Sequence, residues 1–313
     1  MTETSDALKF RRAAVIGIGL IGASLAHAMR AGGLAERIAG FDLDADVRAR
    51  ALSLGVVDET AESFAEAVKG ADLVILSTPV GAIDSLCAEA HAHAENGALV
   101  VDTGSVKGAV AEAARRVRRE VLFVPCHPVA GTEQSGPEAG FATLFRQRWC
   151  ILTPLDRTDE AYRAAVEKAA ALWRAVGSHV EVMDAAHHDL ALAITSHLPH
   201  LIAFTLVGAA DDLESVAEAE IVKYSAGGFR DFTRIAASDP IMWRDVFLHN
   251  REAVLEVLGR FTEELALLQR AIRWGDGETL KKVFTRGRAI RRAIVAAGQE
   301  TDAPNFGRDK KDA

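Results

Sequence analysis

The side chains best suited to chemistry in this chain stand together in residues 126–136, C-H-P-V-A-G-T-E-Q-S-G. A short apolar run at 121–124 precedes them and reads as a buried strand. That strand is expected to end at Pro125 and deliver His127 into a loop rich in Gly, Thr, Ser and Pro. In an open α/β sheet, ligands bind beyond the carboxyl ends of the strands. A histidine placed there can exchange a proton near neutral pH.

Three further polar clusters have the right residue types to serve it. Residues 102–108, D-T-G-S-V-K-G, follow another apolar run at 99–102. Ser105 there can hydrogen-bond a ligand, or cap the helix that follows. Residues 196–200 read S-H-L-P-H, which places His197 and His200 on one helix face. They have no third ligand and no H-E-x-x-H pattern, so no metal is assigned to them, and histidines hydrogen-bonded within a packing surface are the plainer reading. Residues 227–234 read G-G-F-R-D-F-T-R. The two glycines suggest a bend. Arg234 then offers a planar fork for a carboxylate, with Asp231 able to hold that fork as an ion-pair partner.

A proton acceptor of this kind needs something to take electrons, and the start of the chain supplies it. A strand near residues 12–18 runs into Gly17-Ile-Gly19-Leu20-Ile21-Gly22, and a helix follows to Ala31. Gly17 allows the tight turn, Gly19 close backbone approach to a pyrophosphate, and Gly22 close helix–strand packing. The helix N-terminus presents free N–H groups to phosphate. A second strand, near 37–41, ends at Asp42, 20 residues beyond Gly22. An acid at that position accepts from the ribose hydroxyls and repels a 2′-phosphate, so NAD is expected over NADP. The turn Ser77-Thr78-Pro79, after the apolar run 71–77, is placed to pass beneath the nicotinamide ribose, or simply to end a strand. Arg48 and Arg50, and the group Arg115, Arg116, Arg118 and Arg119, are read as helix surface.

The elements that must position these groups fall into two textures. Up to about residue 183, apolar runs alternate with helical segments, with further strands at 149–153 and 180–183. This is the pattern of a doubly wound, mostly parallel sheet. Beyond it, Ala/Leu/Glu/Arg segments at 184–209, 211–223, 240–272 and 276–299 read as helices, with Asp184 as the first N-cap. The expected division is 1–183, a dinucleotide-binding α/β domain, and 184–313, all helical. Residues 1–10 and 299–313 read as loose ends. Three cysteines and 49% apolar residues suit a buried core without a disulfide framework. A formal charge of −8 argues against nucleic acid or an anionic membrane as partner. With no run of 18 uninterrupted apolar residues and no apolar leader near the N-terminus, a cytoplasmic location is expected.

Taken together these motifs resemble the prephenate/arogenate (cyclohexadienyl) dehydrogenase family of tyrosine biosynthesis. The resemblance spans about residues 12–260. It is carried by G-I-G-L-I-G-A-S (17–24), D-T-G-S-V-K-G, H-P-V-A-G-T-E-Q-S-G, S-H-L-P-H and G-G-F-R-D-F-T-R-I-A (227–236) with Trp243, in the family's order. It implies an NAD-dependent oxidative decarboxylation of a cyclohexadienol and a homodimer built through the helical half. It implies His127 as the catalytic histidine on the substrate's 4-hydroxyl and Ser105 as its companion. Arg234 is then the carboxylate-binding arginine and Asp231 its partner. His200, Glu133 and Trp243 become pocket residues, Glu133 gating or tuning it. The chain starts and stops close to these motifs, so neither a fused chorismate mutase nor a regulatory ACT domain is expected, and tyrosine is expected to inhibit at the active site. Two competing readings share the architecture. One is a 3-hydroxyacid dehydrogenase or imine reductase, which would use a helical lysine in a glycine/asparagine setting not seen here. The other is a non-catalytic NAD-sensing regulator. No residue chooses between prephenate and arogenate; Glu133 and the acids around 211–220 are the candidates, and activity on both is the reading favoured.

Overall fold

The computed structural model describes residues 8–212 and 227–296. The helix expected at 211–223, most of the acids around it and the two chain ends lie largely or wholly outside the described residues.

The first half is built around a six-stranded parallel sheet. In chain order its elements are β1 (Phe10–Ile16), α1 (Leu20–Ala31), β2 (Ala35–Phe41), α2 (Ala45–Ser53), β3 (Glu59–Thr60), α3 (Phe64–Val68), β4 (Leu73–Leu76), α4 (Ile83–His93), β5 (Leu99–Asp102), α5 (Lys107–Ala114) and β6 (Leu122–Val124). The spatial order β3-β2-β1-β4-β5-β6 reverses direction between β1 and β4. That is the switch point at which a doubly wound sheet opens a crevice. The central strands are apolar without alternation because helices cover both faces: every residue of L-V-I-L in β4 and L-V-V-D in β5 is buried. The chain becomes regular earlier than its composition suggests. Phe10 is fully buried and begins β1, since its N–H reaches the Leu34 carbonyl at 2.8 Å.

Two expectations need correcting. The chain does not leave the sheet for a loop at Pro125. It changes sheets there: β7 (Cys126–Pro128) pairs antiparallel with β8 (Trp149–Leu152), which pairs parallel with β9 (His179–Val182) after α6 (Glu160–Ala175). His127 therefore sits on a strand, opposite Ile151. Likewise β8 and β9 do not extend the large sheet but form this second, three-stranded one. Proline cannot donate to a ladder, so Pro125 is a natural point for the switch.

The helical half comprises α7 (Ala185–Leu192), a π turn (Ala193–His197), α8 (Leu198–Asp212), α9 (Gly227–Thr233), α10 (Pro240–His249), α11 (Arg251–Trp274) and α12 (Gly277–Ala296). Asp184 caps α7 through His187 N at 2.8 Å, as its type predicts. Gly227 and Gly228 start a helix rather than making a bend. The long run expected at 240–272 is broken at Asn250. Asp239 caps its first part, accepting from Ile241 N at 2.7 Å and Met242 N at 3.1 Å. Trp243 and Val246 of α10 join the core of the first half, so the two halves share a packed seam.

Candidate functional site

The Gly-rich turn is assembled where β1, β2 and β4 end side by side. Gly17 N–H donates to the Phe41 carbonyl at 2.8 Å, and Ser77 N–H to the Ile16 carbonyl at 2.7 Å. Gly17 takes a left-handed φ of +88°, and a Cβ there would overlap Ser77 O. Only glycine fits that conformation and approach. A Cβ on Gly22 would overlap the Gly17 carbonyl oxygen and crowd Val15 Cγ1 at 3.2 Å. Gly19 is different: nothing lies within 4 Å of where its Cβ would point. The N-cap of α1 is Gly19 itself, with no side chain on the first-turn N–H groups. An open backbone face at an uncapped helix start fits a pyrophosphate. Leu20 and Ile21 form that first turn.

Asp42 closes the turn from the β2 side. One of its oxygens accepts from Ile18 N at 3.0 Å and the other from Asp44 N at 3.1 Å, which pins the carboxylate at the mouth of the glycine loop. Arg48 is more than a surface residue: it donates to the Asp42 carbonyl at 2.8 Å and pairs with Glu62. Ser77 Oγ accepts from Thr103 Oγ1 at 3.1 Å, so the Ser77-Thr78-Pro79 turn and the loop after β5 are tied together.

Ser105 lies half-buried in that loop. It does not cap α5, whose N-cap is Val106 with no side-chain bond. The cap arrives from the other half of the chain. Asp189, on α7, accepts from Lys107 N at 2.7 Å and Gly108 N at 2.8 Å. Lys107 is fully buried and pairs with the carboxylate of Asp102, and it donates to the Cys126 carbonyl at 2.7 Å. Asp102 also accepts from Cys126 N at 3.0 Å and Gly104 N at 2.8 Å. This network fixes the backbone on either side of His127.

His127 itself is 7% exposed. Its Nδ1 lies 2.7 Å from Nε2 of the fully buried His188, whose Nδ1 lies 2.8 Å from Asp189 Oδ1. Burial, then the neighbouring His188, Lys107 and His197, push the His127 pKa well below its usual range. Burial also lowers that of His188, against the opposing pull of Asp189. The ring at the centre of the site is therefore neutral near pH 7 and able to accept a proton.

The helical half supplies the opposite wall. His200 stacks on Trp243 with ring centroids 3.6 Å apart, and His197 meets the same indole edge-on at 6.1 Å. The Asn250 amide, at the break between α10 and α11, spans Asp189 O at 2.8 Å and His197 Nδ1 at 3.0 Å. Burial lowers the pKa of His197 to about 4. Arg234 Nη1 meets Glu133 Oε2 at 3.0 Å, bridging a first-half loop and the start of the turn after α9. Asp231 instead pairs with its neighbour Arg230 at 3.2 Å. Ser105, His127, Glu133, His200, Arg234 and Trp243 thus all belong to the facing segments of the two halves. Sequence reading missed Lys107, Asp102, His188, Asp189 and Asn250. Asp102 and Lys107 stood inside the motif at 102–108 without a role of their own, and the adjacent His188-Asp189 was hidden by its place inside an apolar helix.

Comparison with known proteins adds a second line of information. Residues 25–182 match the family described as prephenate dehydrogenase, nucleotide-binding domain. Residues 184–286 match prephenate dehydrogenase, dimerization domain. The chain is 40% identical over 285 residues to the cyclohexadienyl dehydrogenase of Zymomonas mobilis, covering 91% of this chain and 96% of that protein. Among solved structures it is similar to the prephenate dehydrogenase of Aquifex aeolicus in complex with hydroxyphenyl propionate and NAD+. There the TM-score is 0.80 and the identity 33%, covering 92% of this chain and 99% of the other. It is similar also to an arogenate dehydrogenase of Synechocystis, with a TM-score of 0.71 and 27% identity over 90% of this chain and 99% of the other.

Proposed function

The chain belongs to the prephenate dehydrogenase family, and from that membership we propose that His127 is its catalytic base and the seam between its halves its active site. The protein is an NAD-dependent oxidoreductase of tyrosine biosynthesis that oxidatively decarboxylates prephenate, arogenate or both.

In the proposed site Gly17, Gly19, Leu20, Ile21 and Gly22 receive the pyrophosphate of NAD. Asp42 takes the adenosine ribose, and Ser77, Thr78 and Pro79 the nicotinamide side. When bound, NAD accepts the hydride that leaves C4 of the cyclohexadiene ring. The protein's share is to take the 4-hydroxyl proton as that carbon becomes carbonyl-like. A neutral His127 does so, and Ser105 steadies the hydroxyl. The C1 carboxylate then departs as carbon dioxide, its bonding pair makes the ring aromatic and reaches the C4 oxygen, and that oxygen takes the proton back from His127; aromatisation and loss of carbon dioxide make the reaction thermodynamically one-way. Arg234 orients the substrate through its carboxylate. Its fork rests on Glu133, an exposed pair of low strength that a carboxylate can displace. His200 and Trp243 form an aromatic wall.

The observation that carries this reading is the buried neutral imidazole of His127 on β7, held at the seam by its contact with His188 of the helical half. The boundary near residue 183 is part of the proposal, supported by the two family matches meeting there. A homodimer is supported by the family description of residues 184–286 and by exposed apolar side chains such as Leu190, Ile194, Leu248 and Leu255. The run Ala185–Ala210 is long and apolar enough to cross a membrane, and most of its apolar stretch is not buried within one chain. We assign its free face to the second subunit and place the protein in the cytoplasm, free of nucleic acid. The test is NADH formation with prephenate and with L-arogenate, each with NAD and NADP. Comparable kcat/KM values with NAD define a cyclohexadienyl dehydrogenase; a large ratio names one substrate; no turnover with either refutes the site.

A further inference from the structure

We propose that His188 and Asp189 are positioning residues that hold His127 in the one ring form able to take a proton through Nε2. The proposal rests on the reading of His127 as the base and adds what selects its reactive nitrogen.

A proton count along three side chains fixes the ring forms. A carboxylate only accepts hydrogen bonds. Asp189 Oδ1, 2.8 Å from His188 Nδ1, therefore requires the hydrogen on that nitrogen. A neutral imidazole carries one such hydrogen, so His188 Nε2 is bare. His127 Nδ1 lies 2.7 Å from it, and this contact is a hydrogen bond only if His127 Nδ1 donates. With its single hydrogen engaged there, His127 keeps its lone pair on Nε2, the nitrogen turned from His188. In the alternative form Nε2 would carry a hydrogen and could accept nothing.

Asp189 is held well enough to dictate this. Its two oxygens take the N–H groups of Lys107 and Gly108 at the start of α5, and its own carbonyl takes the Asn250 amide at 2.8 Å. The start of α5 thus faces this carboxylate directly. The remaining charged or titratable groups facing the pair are Lys107 with its partner Asp102, and His197 across the seam. In the reaction the substrate O–H bond breaks and an Nε2–H bond forms. The resulting imidazolium keeps its Nδ1–H on His188, and Asp189 stays ionised. No proton has to leave the relay during the chemical step. The logic is that of the carboxylate that orients the histidine in serine proteases, with a second imidazole interposed and the carboxylate supplied by a different domain.

The full-length chain with Asp189→Asn, His188→Gln, His188→Leu and His127→Asn tests this. The readouts are kcat, KM, NAD affinity by fluorescence quenching, and thermal unfolding. Asparagine at 189 with its oxygen on Gly108 N turns its amide N–H to His188, giving up the bond to Lys107 N that shares the same oxygen, and so inverts both rings. A fall in kcat of roughly 10²–10⁴-fold is expected, with KM and NAD affinity within about threefold. Glutamine at 188 can present Oε1 where Nε2 stood and should retain a tenth or more of kcat; leucine should lose a hundredfold or more. Asp189→Asn with more than a third of wild-type kcat, or His188→Gln and His188→Leu chains with equal kcat, overturns the relay. Should Asp189→Asn fail to fold, the two His188 variants decide alone. Near-full activity in His127→Asn would instead bring down the base itself, which separates the two failures.

Discussion

Removing the buried ammonium of Lys107 perturbs both stability and the proton acceptor, and its cost can be worked from the contacts. Lys107→Met keeps the length and apolar stem of the side chain while deleting its pairing with Asp102 and its donation to the Cys126 carbonyl at 2.7 Å. Removing one partner of a buried pair costs about 3–5 kcal/mol, because the other charge stays behind. Asp102 keeps two backbone donors, Cys126 N and Gly104 N, which draws the cost to the lower end. The orphaned Cys126 carbonyl adds roughly 1–3 kcal/mol. A loss of about 4 kcal/mol follows, on the order of 10 °C in melting temperature. The measurement is thermal unfolding without NAD at fixed protein concentration, since ligand and subunit association both shift the midpoint. The double variant Asp102→Asn/Lys107→Met removes the stranded charge and should recover at least about 1 kcal/mol of the loss. The same single variant has a kinetic signature. Lys107 helps to hold the His127 pKa down, so without it His127 protonates at higher pH, and the acid limb of kcat/KM moves upward. A melting loss under about 1 kcal/mol, or a double variant less stable than Lys107→Met alone, would refute the ion-pair reasoning. An unmoved acid limb would remove Lys107 from the electrostatics of the base.

Three other perturbations test separate parts of the molecule. Gly22→Ala places a methyl against the Gly17 carbonyl, so α1 must shift at its phosphate end. NAD affinity measured by fluorescence quenching should fall tenfold or more, and an unchanged Kd would break the link between that turn and the cofactor. Arg234→Gln should raise KM by about 10–100-fold, the effect of one charge-assisted hydrogen bond, with a smaller effect on kcat; steady-state kinetics showing the same KM would take Arg234 out of the pocket. Finally, stability should decline with acidity. Burial lowers the His197 pKa from 6.5 to about 4, so between these values the unfolded chain binds more protons and stability falls as pH falls. The loss is about 2 kcal/mol at pH 5 and approaches about 3 kcal/mol below pH 4. Denaturant unfolding at pH 7.5 and 5.0 measures it, and equal stabilities would show that His197 is not buried neutral.

The large sheet was legible because its code is local. Continuous apolar runs at β4 and β5, glycines at 17, 19 and 22, and Asp42 at its distance each carry their reason within one βα unit. The second sheet was not, because nothing near Pro125 says that the next three residues pair with a strand more than 20 positions on. His127 was found by type and neighbours, yet its support was not. The carboxylate that caps α5 is 82 residues from the amide it satisfies, and such long-range bonds leave no periodicity. Asp231 illustrates the converse. Proximity in sequence suggested an Arg234–Asp231 pair, whereas Arg230 takes Asp231 and Arg234 reaches Glu133, 101 residues away.

The place of Asp189 and Asn250 also bears on how such a chain can be recombined. The first half has the outline of a transferable module, since its sheet and glycine turn are complete by residue 124. Yet the start of α5 leaves two N–H groups to be satisfied by the second half. A chimera joined near residue 183 inherits that requirement: a donor lacking an acid at position 189 would leave the helix uncapped even with every nucleotide-binding residue intact. Swapping halves between relatives should therefore succeed or fail according to positions 188, 189 and 250 rather than overall identity.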